Sequence, residues 1–311
     1  MGQFRMGSPS LPEKIEITEV CPRDGFQSVK DFIATEQKVA IIDSLAVTGV
    51  PVMEVTSFVS PKAIPQMADA AEVMAEFNKR WKGKVTSVVL IPNLRGAEGA
   101  LASGADWMNF VISASEDHNM ANTRRTVEES IAEMKKVAEL KGSTKLRVSA
   151  ATAFACPFAG PVPPEKVFRV LDAAMEAGAD GVTLADTIGT ADPKFVTGTL
   201  SAVRRRYGSY PFALHLHDTY GMALANMAAA MALGFASFDA AAGGLGGCPF
   251  APGAAGNAAT EDMVNMAHSM GVSTGIDLLK VLSAVRAMES AYGLKISSHL
   301  AATGMGLPGQ G

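Results

Sequence analysis

Cysteine is scarce in this chain: Cys21, Cys156 and Cys248 are the three present in 311 residues, far apart and with no CxxC pair. An odd, dispersed set argues against a disulfide framework and a zinc knuckle, and fits a reducing cytoplasm. No stretch approaches the roughly 20 apolar residues of a membrane span, and the opening dozen residues lack the apolar core of a signal peptide. Positive charge is not in excess either: 27 Lys and Arg face 31 Asp and Glu, for a net charge of −4. The short basic runs Arg124-Arg125, Lys135-Lys136 and Arg204-Arg205-Arg206 read as solvated helix faces, so neither nucleic acid nor a membrane is expected as a partner. Low-complexity tracts are absent, and 48% hydrophobic with 19% charged residues is the balance of a globular protein.

What the sequence does contain is alternation. Strand-like segments at 14–20, 52–58, 85–91, 107–114, 146–154, 181–186, 212–217 and 237–242 are separated by helical patterns at 35–49, 68–77, 97–103, 127–140, 164–177, 193–207 and 223–233. In the first helix Val39, Ile42, Leu45 and Ala46 form one stripe and Gly49 a stop; the helix at 164–177 opens on Pro and ends at Gly178. Eight such units without self-similarity predict an α/β fold, a (β/α)8 TIM barrel rather than a doubly wound sheet. Two further helices, at 260–270 and 276–292, close the barrel and extend it. Residues 1–13 and 301–311 read as flexible ends of a single domain spanning 14–300.

A barrel of this kind carries its chemistry at the C-terminal ends of the strands. Polar residues gather at those ends: Arg23, Asp24 and Gln27; Glu54, Thr56 and Ser57; Ser113, Ser115 and Glu116; Asp186 and Thr187; then a glycine-rich stretch at 243–247 followed by Cys248 and, later, Asn257. Arg147 lies within the fifth strand. His118 is expected in a loop, with the run 115–119 facing the substrate as the alternative, and His268 and His299 as structural or exposed. His215 and His217 alternate with leucines, so they share one strand face. A lone His in an apolar strand is ordinarily a hydrogen-bonded core residue. Two of the chain's five on one face point instead to a metal, provided oxygen ligands come from elsewhere. Asp24, His215, His217 and Asn257 would suit Mg2+ or Mn2+, and no thiolate set argues for zinc.

These residues carry a resemblance. The segments PRDGFQ (22–27), EVTSFVSPK (54–62), DTIGT (186–190), HLHDTYG (215–221) and GLGGCPFAPGAAGN (244–257) are similar to those of the 3-hydroxy-3-methylglutaryl-CoA lyases, metal-dependent barrels of an Asp-Arg-Glu lyase and aldolase group. The likeness spans about 15–298, and the GLGGCP loop separates the lyases from the condensing synthases of the same group. It implies metal ligation by Asp24, His215, His217 and Asn257, enolate stabilisation by Arg23, a role for Cys248 on a mobile loop, and places for Glu54 and Asp186 beside the ion. Cleavage next to a thioester needs a base for the hydroxyl proton and positive charge for the enolate. Arg23 is permanently charged, and a thiol of ordinary pKa at Cys248 is protonated at neutral pH and can return a proton. The base stays open among His215, Asp24, Asp186 and a water on the ion. Glu54 either takes part directly or pairs with Arg23.

For the substrate, an acyl-CoA, the candidates are Gln27, Arg147 and Ser149 at the rim, with Lys30 and Lys295 for the phosphates. Arg147 holds the thioester oxygen or bridges strands. Two departures from the family bear on the acyl group: CPRDG has Cys21 where the lyases commonly have Gly, and Ser149 stands where the animal enzymes carry a Tyr. A roomier pocket would take citramalyl-CoA or a longer-branched 3-hydroxyglutaryl-CoA. A condensing transferase is the competing class, disfavoured because the roughly 70 residues after the last strand leave no room for a regulatory domain. A non-catalytic barrel is a third. A homodimer or higher homo-oligomer is what the family implies.

Overall fold

Parallel strands buried on both faces dictate the architecture. In the computed structural model, which describes residues 11–247 and 256–303, eight of them close into a barrel. In chain order these are β1 (Glu16–Glu19), β2 (Val52–Ser57), β3 (Thr86–Ile91), β4 (Trp107–Ser113), β5 (Lys145–Ala151), then β8 (Gly181–Asp186), β9 (Phe212–Leu216) and β10 (Ser237–Ala240). Around the barrel the order is β1-β10-β9-β8-β5-β4-β3-β2. Every residue of β8 is buried, as expected when helices cover the outside and side chains fill the centre. Between β5 and β8 a small antiparallel hairpin, β6 (Ala155–Cys156) and β7 (Gly160–Pro161), stands outside the barrel.

The helices follow their apolar stripes. They are α1 (Thr35–Ala46), α2 (Ala70–Trp81), α3 (Leu94–Ala102), α4 (Glu116–Thr123), α5 (Val127–Leu140), α6 (Pro164–Glu176), α7 (Pro193–Tyr207), α8 (Ala223–Ala232), α9 (Thr260–Ser269), α10 (Leu278–Tyr292) and α11 (His299–Ala302). In α6, Val167, Val170, Leu171 and Ala174 are buried at helical spacing. Asp192 caps α7 by accepting from the Phe195 amide at 2.8 Å, while its last turn carries the Arg204–Arg206 run where the helix dipole favours cations. Arg206 pairs with Asp172 at 2.7 Å, so this run is a surface feature of the fold.

Three departures from the expected elements have physical causes. Residues 116–123 form a helix, not a loop: the sequence shows no apolar stripe there, but buried Asn119 bonds Arg125 O, Thr126 O and Ser130 Oγ and accepts from the Ser113 amide. Helix α3 starts at Leu94, three residues before 97, because Asn93 caps it through the Gly96 amide at 2.9 Å. Ala301 and Ala302, expected in a loose tail, belong to α11, whose first amides at His299 and Leu300 are both held by Asp262 at 2.8 Å. Among the described residues no helix is long and apolar enough to cross a membrane.

Candidate active site and metal centre

The site begins where β1 ends. Residues Cys21–Gly25 form a single π-helical turn in which the amides of Arg23 and Asp24 both point at Val20 O, at 3.2 and 2.8 Å. Such a wide turn aims consecutive side chains in directions an α-turn would not. Gly25 is needed for it, since a Cβ there would stand 2.9 Å from Cβ of Leu245. On the neighbouring strand β2, the register against β3 shifts between Glu54 and Thr56, a bulge of the kind that re-aims side chains beside active sites.

Glu54 and Arg23 meet there. Oε2 of Glu54 accepts from Arg23 Nε at 2.6 Å and lies 2.5 Å from Nη2; Nη1 of Arg23 bonds Oδ1 of Asp24. The other Asp24 oxygen, Oδ2, lies 3.9 Å from Nε2 of both His215 and His217 and accepts from Asn257 Nδ2 at 2.6 Å. Asn257 reaches this point because its backbone bridges that of His217, with flanking bonds from Asp218 N to Gly256 O and from Ala258 N to Leu216 O, both at 3.0 Å.

One ligand atom each from Asp24, His215 and His217 falls within 4.8 Å of the others, the cluster expected of a metal site. The Oδ1 of Asn257 is buried without a hydrogen-bond partner, a fourth donor available to an ion. A carboxylate, an amide oxygen and two imidazoles fit a divalent cation of the Mg2+/Mn2+ class. Burial by itself pushes the Asp24 carboxyl up, but Arg23 and the two imidazoles outweigh it and hold the group well below the usual carboxylate range. Asp24 is therefore the anion a ligand must be. For His215, burial opposes the charged form, yet Asp239 and Asp24 raise its proton affinity above the ordinary.

The HMGL-like family model matches residues 14–288. The chain belongs to the HMGL-like family. It is 44% identical over 290 residues to a hydroxymethylglutaryl-CoA lyase of Bacillus subtilis, covering 93% of this chain and 96% of that one. Among solved structures it resembles the HMG-CoA lyase of B. subtilis, with a TM-score of 0.91 and 42% identity over 94% of this chain and 98% of that one. It also resembles an HMG-CoA lyase of Acinetobacter baumannii in complex with coenzyme A and 3-methylmalate, with a TM-score of 0.90 and 40% identity over 95% and 97% of the two chains.

Within this HMGL-like barrel the expected site residues fall into three groups. Arg23, Asp24, Gln27, Ser149, His215 and His217 line one cavity at the C-terminal mouth. Glu54 and Asp186 lie beneath it, 1% and 0% exposed. Asp186 accepts from the Ala191 amide at 3.1 Å through Oδ2, and burial pushes its carboxyl up. Arg147 also lies below the cavity wall, where it pairs with Asp239. Lys30 and Lys295 are exposed and do not line the cavity. Cys248 lies outside the described residues.

Two residues, Asp239 and Asn109, escaped the reading of the sequence. Asp239 stands beside His215 because the two are register partners on β10 and β9. Asn109 on β4 holds Glu54 at 2.8 Å. His118, on α4, lines the cavity with Nδ1 2.5 Å from Ser113 Oγ, and burial pushes its pKa down to about 4, so it is neutral at physiological pH. A signal existed for Asp239 and Asn109: each is a polar residue inside an otherwise apolar strand, in Phe238-Asp239-Ala240 and Met108-Asn109-Phe110. Asp218, beside the two histidines, accepts from the Ala223 amide at 2.8 Å at the start of α8.

Proposed function

We propose that this chain is a divalent-metal-dependent carbon–carbon lyase that cleaves 3-hydroxy-3-methylglutaryl-CoA to acetyl-CoA and acetoacetate. The observation that carries it is the position of Asp24 between a fixed guanidinium on one oxygen and the His215, His217 and Asn257 set on the other. In the reaction the substrate's hydroxyl loses its proton, its C–O bond becomes the ketone of acetoacetate, and the bond from C3 to C2 breaks. The electron pair of that bond becomes the enolate of acetyl-CoA, which takes up a proton. An ion held by Asp24, His215, His217 and Asn257, Mg2+ or Mn2+, would supply positive charge that orients and acidifies the hydroxyl.

The chain's own residues do the rest. Arg23 has its Nε and Nη2 committed to Glu54, so its charge is pre-aimed at the mouth of the cavity and meets the enolate without reorganisation. His215, Asp24, Asp186 and a water on the ion are the candidates for taking the hydroxyl proton. Cys248 is the candidate for returning one to the enolate, on the strength of the GLGGCP resemblance. Gln27 and Ser149 contact the acyl part from the cavity wall, and Lys30 and Lys295 are the candidates for the CoA phosphates. The thiols Cys21 and Cys156 are buried and free, in keeping with a cytoplasmic enzyme. The A. baumannii relative, bound to coenzyme A and 3-methylmalate, supports a CoA thioester as substrate.

A related 3-hydroxyacyl-CoA, such as citramalyl-CoA or a longer-branched 3-hydroxyglutaryl-CoA, is the second reading. Ser149, Ala151 and Ala185 favour it, because they make the cavity wall low where a larger side chain would fill it. An acyl-CoA panel followed by mass spectrometry tests both. Metal-replete protein should release acetyl-CoA and acetoacetate from 3-hydroxy-3-methylglutaryl-CoA, lose the activity in chelator and regain it with Mg2+ or Mn2+. Protein that releases no acetyl-CoA from any 3-hydroxyacyl-CoA, or that instead condenses acetyl-CoA with a 2-oxo acid, sinks the proposal.

A further inference from the structure

A chain of three side chains runs from the Arg23 guanidinium to the opposite cavity wall. Oε2 of Glu54 holds Nε and Nη2 of Arg23; Oε1 accepts from Asn109 Nδ2 at 2.8 Å; and Oδ1 of Asn109 accepts from Ser149 Oγ at 2.7 Å. The polarity of every link is forced. A carboxylate only accepts, so Asn109 must turn its NH2 toward Glu54 and its carbonyl toward Ser149. The Ser149 hydroxyl then has its proton committed, and only its lone pairs are left for the cavity it lines. From this geometry we infer that Asn109 and Ser149 are positioning residues that lock Glu54, and through it Arg23, and that Ser149 offers the substrate an acceptor only.

The inference rests on the lyase reading of the site. Glu54 is bonded on both oxygens, and with one oxygen on two Arg23 nitrogens and the other on Asn109 it has no rotation left. Losing Asn109 frees Oε1, and the carboxylate and guanidinium can turn together away from the enolate position. A substrate group lying against Ser149 is a hydrogen-bond donor or apolar, whereas a carboxylate placed there would face lone pairs.

The test is steady-state cleavage of 3-hydroxy-3-methylglutaryl-CoA together with deuterium exchange into the methyl of acetyl-CoA, which reads enolate formation alone. Asn109→Ala should lower kcat and the exchange rate together by about 10- to 100-fold while KM stays near wild type. Ser149→Ala should lower both by roughly 3- to 10-fold, and Ser149→Thr, which keeps the hydroxyl, should restore them. In a Glu54→Gln background Asn109→Ala should add little, since both act along one chain. Additive losses, a change in KM alone, or Ser149→Ala behaving like wild type overturns the inference. If Asn109→Ala fails to fold, the Ser149 pair, on the half-buried wall, decides by itself. Wild-type protein that forms no acetyl-CoA and exchanges no deuterium overturns the lyase reading and this inference with it; active wild type with silent variants overturns the inference alone.

Discussion

Oδ2 of Asp239 lies 3.4 Å from Nδ1 of His215, while Arg147 donates to both oxygens of the same carboxylate, at 3.1 and 3.4 Å. The link crosses the barrel from β5 to β10 to β9 and leaves Nε2 of His215 facing Asp24. Burial would raise the Asp239 carboxyl, but Arg147 and His215 hold it below its ordinary value, so it is the anion that fixes the imidazole's tautomer.

Asp239→Asn should therefore weaken Mn2+ binding by about 10- to 100-fold. Calorimetric titration of the metal-free protein measures this directly. Unchanged affinity would show that His215 is oriented by something else. Thermal stability should fall as well, because Arg147 loses a buried counter-charge.

Gly246 sits at φ +134°, and a Cβ built on it would come within 2.4 Å of Asn257 Nδ2. The amide cannot step aside without leaving Asp24 and Leu245 O, its two acceptors. Gly246→Ala is expected to cost about 1–3 kcal/mol of stability and to weaken metal binding along with it. Gly198→Ala is the control: at this position in α7 the added carbon meets nothing within 4 Å beyond its own helix backbone and chain neighbours, and the change should stabilise by about 0.5–1 kcal/mol. Thermal melts with and without Mn2+ distinguish the two, and a Gly246 variant with wild-type metal affinity counts against the account.

Glu19 closes β1 from inside: it accepts from the amides of Cys21 and Ala242 at 2.8 and 2.9 Å and from Thr260 Oγ1 at 2.7 Å. Burial pushes its carboxyl from 4.5 up to about 7, and Glu261, on the Gly243 amide, is likewise raised to about 7. A group that keeps its proton to about pH 7 when folded, but releases it near 4.5 when unfolded, contributes stability that is complete below 4.5 and lost as pH rises to 7. For Glu19 the loss is on the order of 3 kcal/mol. Glu19→Gln keeps the two amide bonds and reverses the one to Thr260. It should flatten the decline of Tm between pH 5 and 8 and be more stable than wild type at pH 8. Comparing variant with wild type separates Glu19 from His215, whose raised pKa acts in the same direction. A variant whose Tm declines with pH as steeply as wild type would remove Glu19 from the account.

The sequence by itself determined the barrel, because period-2 and period-3.6 hydrophobic patterns are local and alternate eight times. It also determined the ligand types: His215 and His217 share a face by strand geometry alone, and Arg23-Asp24 falls at a strand end. Only the closed barrel decided which residues meet. Asp24 and Asn257, 233 residues apart, touch because the first strand pairs with the last. Asp239 reaches His215 through strand register, and Asn109 reaches Glu54 across β3, neither of which any local spacing encodes. The turn at Cys21–Gly25 and the bulge at Glu54 were likewise set by packing, since they exist to point Arg23, Asp24 and Glu54 at one another. Residue types record which chemistry is available; long-range contacts in a densely packed interior determine which side chains perform it together.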